Sequence, residues 1–283
     1  MILGYNTNGL AHHDLLEAVR LLADLGYGAV AVTIDHDALR PGAAELPRQL
    51  SALGQLLERF RMRSVMETGA RYLLDPRRKH EPTLVSPDAA ARTCRVDFYR
   101  HAIECAAALG SDCVSLWSGV LHDGASQSEA MTRLTGSLHP VLAYAAERGV
   151  PVGFEPEPGM FVDTMARFEQ LLDTLADDSL RLTLDVGHLQ CQGELPITDH
   201  IRRWAPRLVN VHLDDARCGA HEHLMFGEGE IDFVAVFEAL AAAGYAGCAN
   251  IELSRHSHVG PEAARQALAR LEPQLLQSRN RFP

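Results

Sequence analysis

The 283-residue chain contains no uninterrupted apolar run long enough for a transmembrane helix, which takes about 18 residues. Its opening residues, Met1 to Asp14, lack a basic stretch followed by a long apolar one, so no secretion signal is expected. No Cys-x-x-Cys pair occurs among the six cysteines (Cys94, Cys105, Cys113, Cys191, Cys218 and Cys248). Such scattered thiols suit the reduced state of a cytoplasmic protein better than a disulfide framework. No Gly/Ser-rich linker, low-complexity tract or break in composition divides the chain, so one domain over residues 1–283 is expected. Positive charge is also scarce. The formal net charge is −11, which argues against nucleic acid as a partner, the local patch Arg77-Arg78-Lys79 aside.

What is present is an alternation. A short β-rich run, a polar loop, an amphipathic helix and a glycine turn recur along the chain. The periodicity of Leu15, Leu16, Val19 and Leu22 predicts a helix over 13–25 that stops at Gly26. Gly110, Gly149 and Gly244 are expected to end later helices in the same way, because glycine enters the left-handed conformation at little cost. Eight strands are predicted: 2–6, 29–33, 63–67, 113–117, 152–155, 181–185, 208–213 and 248–252. Runs such as Ala-Val-Ala-Val suit a parallel sheet covered by helices on its outer face. Eight alternations predict an α/β fold, a closed (β/α)8 TIM barrel, with an open doubly wound sheet as the alternative. Against the latter, no Gly-x-Gly-x-x-Gly follows the first strand. The longest loops, 68–86 and 214–230, follow strands and so belong to the catalytic face of a barrel.

The chemistry concentrates at strand ends. Glu155, Asp185, His212 and Glu252 close the fifth to eighth predicted strands, and Glu67, a candidate substrate-binding residue, closes the third. Barrel closure brings the ends of neighbouring strands together. Three carboxylates and an imidazole, without a thiolate, suit a divalent cation such as Mn²⁺, Zn²⁺, Co²⁺ or Mg²⁺. Read singly, each residue is an ordinary polar strand end. His188, three residues after Asp185, and His221 and His223, in the loop after the seventh strand, suit either a second metal ion or substrate contacts and a solvated loop.

These residues sit in Gly-Phe-Glu-Pro-Glu-Pro around Glu155, Leu-Asp-Val-Gly-His at 184–188, Val-His-Leu-Asp-Asp at 211–215, Gly-Glu-Gly-Glu-Ile-Asp at 227–232 and Ile-Glu-Leu at 251–253. With them the chain resembles the xylose-isomerase-like TIM-barrel superfamily of sugar phosphate isomerases and epimerases, over nearly its whole length. The resemblance to its ketose 3-epimerases implies one metal on Glu155, Asp185, His212 and Glu252. It also implies that Glu155 and Glu252 act as acid and base, with His188 and Arg217 touching substrate oxygens. The resemblance to its endonuclease IV branch implies further ligands at His188, His221 and His223, although Trp117-Ser118 and Glu67 depart from that branch's pattern.

The expected function is a metal-dependent isomerase or epimerase of a sugar or sugar phosphate, working by proton transfer through a cis-enediolate. The alternatives are a bimetal phosphoester hydrolase and a polyol-ketone dehydratase. Arg71, within a basic loop that also carries Arg77, Arg78 and Lys79, suits an anionic group of the substrate. Trp117 suits a stacking wall or the core. Alanines at 239–243, read as an exposed helix face, permit a homo-oligomer.

Overall fold

A computed structural model describes residues 1–281, so positions 282 and 283 of the expected domain lie outside the described residues. Eight parallel strands close into a barrel. In chain order the strands are β1 (Ile2–Asn6), β2 (Ala29–Thr33), β3 (Arg63–Glu67), β4 (Val114–Leu116), β5 (Val152–Phe154), β6 (Leu180–Asp185), β7 (Leu208–Leu213), the short pair β8 (Asp215–Arg217) and β9 (Ala220–Leu224), and β10 (Cys248–Ile251). Around the barrel the order is β1-β10-β7-β6-β5-β4-β3-β2, and β8 and β9 form a separate antiparallel hairpin. The helices are α1 (Leu15–Leu25), α2 (Leu46–Phe60), α3 (Ala89–Leu109), α4 (Gln127–Arg148), α5 (Met165–Leu175), α6 (Val186–Gln192), α7 (Ile197–Trp204), α8 (Phe233–Ala242) and α9 (Gly260–Arg281). No helix among the described residues is long and apolar enough to cross a membrane.

Local chemistry sets the element boundaries. Asp14 caps α1 by accepting from Leu16 N at 2.9 Å and Glu17 N at 3.2 Å, so the helix starts at Leu15, two residues later than periodicity alone indicates. Gly26, Gly110 and Gly149 close α1, α3 and α4 in the left-handed conformation. α8 departs from this pattern. It ends at Ala242 with a right-handed cap at Ala243, and Gly244 turns left-handed one residue further on. The expected exposed alanine face is also corrected. Ala239 and Leu240 are buried, because α8 packs against α7 and α9, and only Ala242 of that run is exposed. Between 214 and 230 the expected loop contains the β8–β9 hairpin.

Alternation along the strands sorts side chains to the two faces of the barrel. Val30, Val32, Val114, Leu116, Val152, Phe154, Leu182 and Leu184 join the large core under the helices. The opposite face fills the barrel lumen in layers. Ala29, Ala31, Val65, Cys113 and Cys248 form a separate apolar plug. Above it lies a buried polar tier that includes Asn210 and Asn250, joined by an Asn250 Nδ2 to Asn210 Oδ1 bond of 2.9 Å. The next inward position carries Glu67, Glu155, Asp185, His212 and Glu252, on or one residue beyond β3, β5, β6, β7 and β10.

The β3–α3 loop is built around one buried cation. Arg95, fully buried on α3, donates to the carbonyls of Pro82 (2.6 Å), His80 (2.6 Å) and Thr68 (3.3 Å). Its guanidinium also lies 4.9 Å from the Trp117 ring centroid. Ala70, Arg71 and His80 hold positive φ angles of 54°, 26° and 67°, a concentration of backbone strain that this anchoring sustains. Arg95→Met strands three inward carbonyls. We expect it to cost about 3 kcal/mol and to lower the melting temperature by roughly 6–12 °C, read by thermal denaturation. An unchanged melting temperature rejects the anchoring role.

Candidate metal centre

β5, β6, β7 and β10 are consecutive around the barrel, and their carboxyl ends carry Glu155, Asp185, His212 and Glu252. Asp185 and His212 are direct cross-strand partners. The two glutamates lie one residue beyond their strands, but each backbone is still held by the next strand. Glu155 N donates to Leu116 O at 2.8 Å and Glu252 N to Leu213 O at 2.9 Å. One ligand atom from each of the four side chains lies within 4.8 Å of the other three. His212 Nδ1 stands 2.9 Å from Glu155 Oε1, 3.0 Å from Glu252 Oε2 and 3.8 Å from Asp185 Oδ2.

The other imidazole nitrogen is committed elsewhere. His212 Nε2 lies 2.9 Å from Glu67 Oε1, and Asn210 Nδ2 donates to that same oxygen at 3.0 Å. With Nε2 committed to Glu67, Nδ1 faces the three carboxylates and is the nitrogen a cation would take. Asp185 Oδ1 caps α6 by accepting from His188 N at 2.9 Å, whereas its buried Oδ2 has no hydrogen-bond partner. An unpartnered buried carboxylate oxygen among further carboxylates is costly without a cation. Hard oxygen donors with one imidazole fit Mn²⁺, Mg²⁺, Co²⁺ or Zn²⁺.

Burial raises the Glu155 pKa to about 7, although His212 partly offsets it. Burial, then Asp214 and Glu155, push Asp185 well above the usual carboxylate range. Burial would also raise Glu252, but His212, with His223 and His188, outweighs it and draws the carboxyl below its usual range. Asn8 Nδ2 donates to Glu252 Oε1 at 2.7 Å, which further favours the anion. His212 itself is raised, since Glu155, Glu67 and Glu252 overcome the burial that would lower it. The two glutamates beside one imidazole therefore have proton affinities displaced in opposite directions.

A folded-state pKa of about 7 against an ordinary 4.5 means that the native metal-free protein holds a proton at Glu155 that the unfolded chain releases. The associated stability is present below the lower value and is lost as pH rises through the higher one. Urea midpoints of metal-free protein should therefore fall less steeply between these pH values in Glu155→Gln than in the natural chain. Equal slopes would remove this assignment.

Residues 19–274 match the family described as xylose isomerase-like TIM barrel. The chain belongs to that family. It is 25% identical over 252 residues to the L-ribulose-5-phosphate 3-epimerase UlaE of Shigella flexneri serotype 5b, covering 88% of this chain and 85% of the relative. It is 27% identical over 199 residues to the uncharacterised protein MJ1311 of Methanocaldococcus jannaschii, covering 64% of this chain and 68% of that one. Among solved structures, an L-ribulose 3-epimerase superposes with a TM-score of 0.80 at 20% identity, covering 99% of this chain and 96% of the other. The D-psicose 3-epimerase of Clostridium cellulolyticum H10, solved with D-tagatose, superposes at 0.75 and 19% identity, covering 97% and 99%.

On this xylose isomerase-like barrel a cavity of about 550 Å³ is lined by three of the metal quartet, Glu155, His212 and Glu252. Glu67, Arg71, Trp117, His221 and His223 line it, as do Lys79 and Arg255. Arg217 stands outside the wall, with its guanidinium donating to Glu228 O at 2.5 Å and lying 3.8 Å from Glu222. Arg77 and Arg78 are exposed and also outside it, Arg78 being paired with Asp75. Trp117 serves as both wall and core, since its indole meets His80 edge-on at 5.5 Å and is almost fully buried.

His188, His221 and His223 offer nitrogens within 4.8 Å of one another, and Glu157 approaches the same place. His188 Nδ1 is bound to Pro156 O at 3.1 Å, and its buried Nε2 has no hydrogen-bond partner. Asp214 Oδ2 lies 2.8 Å from His223 Nδ1 and, against the effect of burial, raises that imidazole to about 10. Gly187 permits this approach, because a Cβ there would stand 2.1 Å from Asp214 Oδ1.

Sequence reasoning missed Asn8, Asn210, Glu157 and Arg255. Asn210 had a signal: it sits two residues before His212 and so on the same face of the strand. Asn8 and Arg255 had none, because their partners lie far along the chain.

Proposed function

We propose that the protein is a metal-dependent epimerase or isomerase of a sugar or sugar phosphate. The observation that carries this reading is the convergence of two glutamates on one ligand nitrogen, with Glu155 Oε1 at 2.9 Å and Glu252 Oε2 at 3.0 Å from His212 Nδ1. Glu155, Asp185, His212 Nδ1 and Glu252 would hold the cation. A bound divalent cation supplies Lewis-acid polarisation of the substrate carbonyl. The rest of the chemistry belongs to the chain. One glutamate takes the proton alpha to the carbonyl, leaving a planar cis-enediolate of the sugar. The other returns a proton to the opposite face for epimerisation, or to the neighbouring carbon for isomerisation. Glu67 and Asn210 keep His212 in the required tautomer. Arg71 and Lys79 present positive charge to the same cavity and suit a phosphate on the substrate. His188 and Trp117 line or flank the sugar. The epimerase names of the relatives support this class of reaction.

Incubation in deuterated water tests the reading. A ketose or ketose phosphate that is a substrate should take up deuterium at the carbon beside its carbonyl. A panel of both in which no carbon-bound proton exchanges would reject it.

A second reading rests on the histidine trio, whose nitrogens lie within 4.8 Å of one another and suit a second ion in a bimetal phosphoester hydrolase. Metal content per chain separates the two. We expect one tightly held ion, unchanged in His223→Ala. Two ions, with one lost in that variant, would favour hydrolysis.

A further inference from the structure

Beside the catalytic cavity lies a second one of about 210 Å³, between the segment after β1 and the segment after β2. The two share Asn8, Thr33 and Arg71 in their walls. At this volume the smaller cavity falls below the roughly 300 Å³ at which self-standing ligand pockets begin, so it reads as an annex of its neighbour.

Asn8 is the junction. Its amide nitrogen is committed to Glu252 at 2.7 Å, while its buried Oδ1 has no hydrogen-bond partner. His13, on the annex wall, has a buried Nδ1 that is also unpartnered. Two of the fifteen buried side-chain polar atoms without a hydrogen-bond partner among the described residues thus belong to residues that line this one small space. Arg71 stands at the threshold, donating to Asn8 O at 3.1 Å and lying 3.9 Å from Asp35 Oδ2.

The charge of the annex selects its occupant. Asp35 and Asp37 line it, against Arg71 as its one guanidinium and two imidazoles, His13 and His36. Two carboxylates repel a phosphate but accept hydroxyl protons, and the two unpartnered atoms suit hydroxyl groups as well. Leu10 and Leu15 supply an apolar side for the carbon face of a ring.

We propose that the annex is a subsite for a neutral, hydroxyl-rich extension of the substrate, such as a second sugar ring linked to the sugar that reacts beside Glu252. The inference rests on the sugar-epimerase reading above. It adds that the preferred substrate extends beyond one ring.

The test compares D-fructose with isomaltulose, a reducing ketose that carries a glucosyl ring on its far end. Calorimetric binding to the metal-loaded protein should favour isomaltulose by about tenfold, the worth of one or two net hydrogen bonds. Ala38→Phe, which fills the annex from its wall, should erase that preference and leave fructose binding unchanged. His13→Leu, a gentler change, should reduce it while the melting temperature stays near that of the natural chain. Equal affinity for the two sugars, no binding of isomaltulose, or a preference that survives both variants would overturn the proposal. Deuterium exchange on the same samples reports separately on the reaction. Loss of exchange with both sugars strikes the epimerase reading, and the binding preference still decides the annex.

Discussion

Glu155→Gln and Glu252→Gln should each reduce exchange of the substrate's carbon-bound proton by about 10²–10⁴-fold, the usual worth of a positioned acid or base. The amide keeps the shape of the side chain but neither takes nor returns a proton. The two losses should not be identical in kind. Glu252 is the anion in the metal-free site, steadied by His212 and Asn8, whereas Glu155 has a proton affinity near neutrality. For an epimerase with two bases, each variant should block proton removal from one face of the sugar. Following exchange from both epimers therefore gives each glutamate its own side. A variant that exchanges protons from both epimers at near-normal rates would show that its glutamate is not one of the bases.

Removal of the divalent ion should abolish activity altogether, and its return should both restore turnover and stabilise the fold. Three acidic side chains meet around His212 Nδ1, and Asp185 Oδ2 is buried without a partner, so much of the binding energy is relief of strain already present. At a hundredfold excess over Kd the gain is about 2.7 kcal/mol, read as a raised melting temperature after dialysis against chelator and re-addition of Mn²⁺. The pH dependence has a definite sign. Binding must displace protons from Glu155, Asp185 and His212, all of which hold them more tightly than usual. Affinity should therefore fall as pH drops through about 7, where Glu155 becomes protonated. Pulling away the support behind the ligand has a smaller effect of the same kind. Glu67→Gln or Asn210→Ala should weaken metal binding by about 10–100-fold through loss of the His212 tautomer. Activity that persists in chelator would contradict the metal requirement.

The barrel and the quartet were legible because both rest on local, periodic signals. Apolar runs such as Ala29–Val32 suit strands buried on both faces, and the charged residues that end four consecutive strands mark one rim of the barrel. Strand ends near Glu155 and Glu252 were placed one residue too far, since pairing stops at Phe154 and Ile251 while the backbone bond to the neighbouring strand continues. A second period lay within the same strands. Ser115, Thr183, Asn210 and Asn250 alternate with large apolar residues and face the lumen, which explains why a parallel strand here is not apolar throughout. What was not legible depends on distance along the chain. Arg95 looks like any arginine of an amphipathic helix. Its three acceptors lie 13 to 27 residues earlier, in a loop with no periodicity. Arg217 failed for a related reason. The β8–β9 hairpin, hidden inside a loop of unremarkable composition, commits its guanidinium to Glu228 O, and Arg217 is not among the residues that line the cavity. The annex at Asn8 and His13 requires the segments after β1 and β2 to meet beside Arg71, a juxtaposition that comes from the pairing of β1, β2 and β3.

The most direct test is a titration with Mn²⁺, followed by the loss of the free-ion signal in electron paramagnetic resonance, on the natural chain and on Asp185→Asn. Asp185 carries no proposed role as acid or base, so its replacement tests the cation site by itself. The expected result is one tight site per chain, and its loss or severe weakening in the variant with the fold retained. Absence of a tight site in the natural chain, or a site that Asp185→Asn leaves intact, would contradict the convergence of Glu155, Asp185, His212 and Glu252 on one ion.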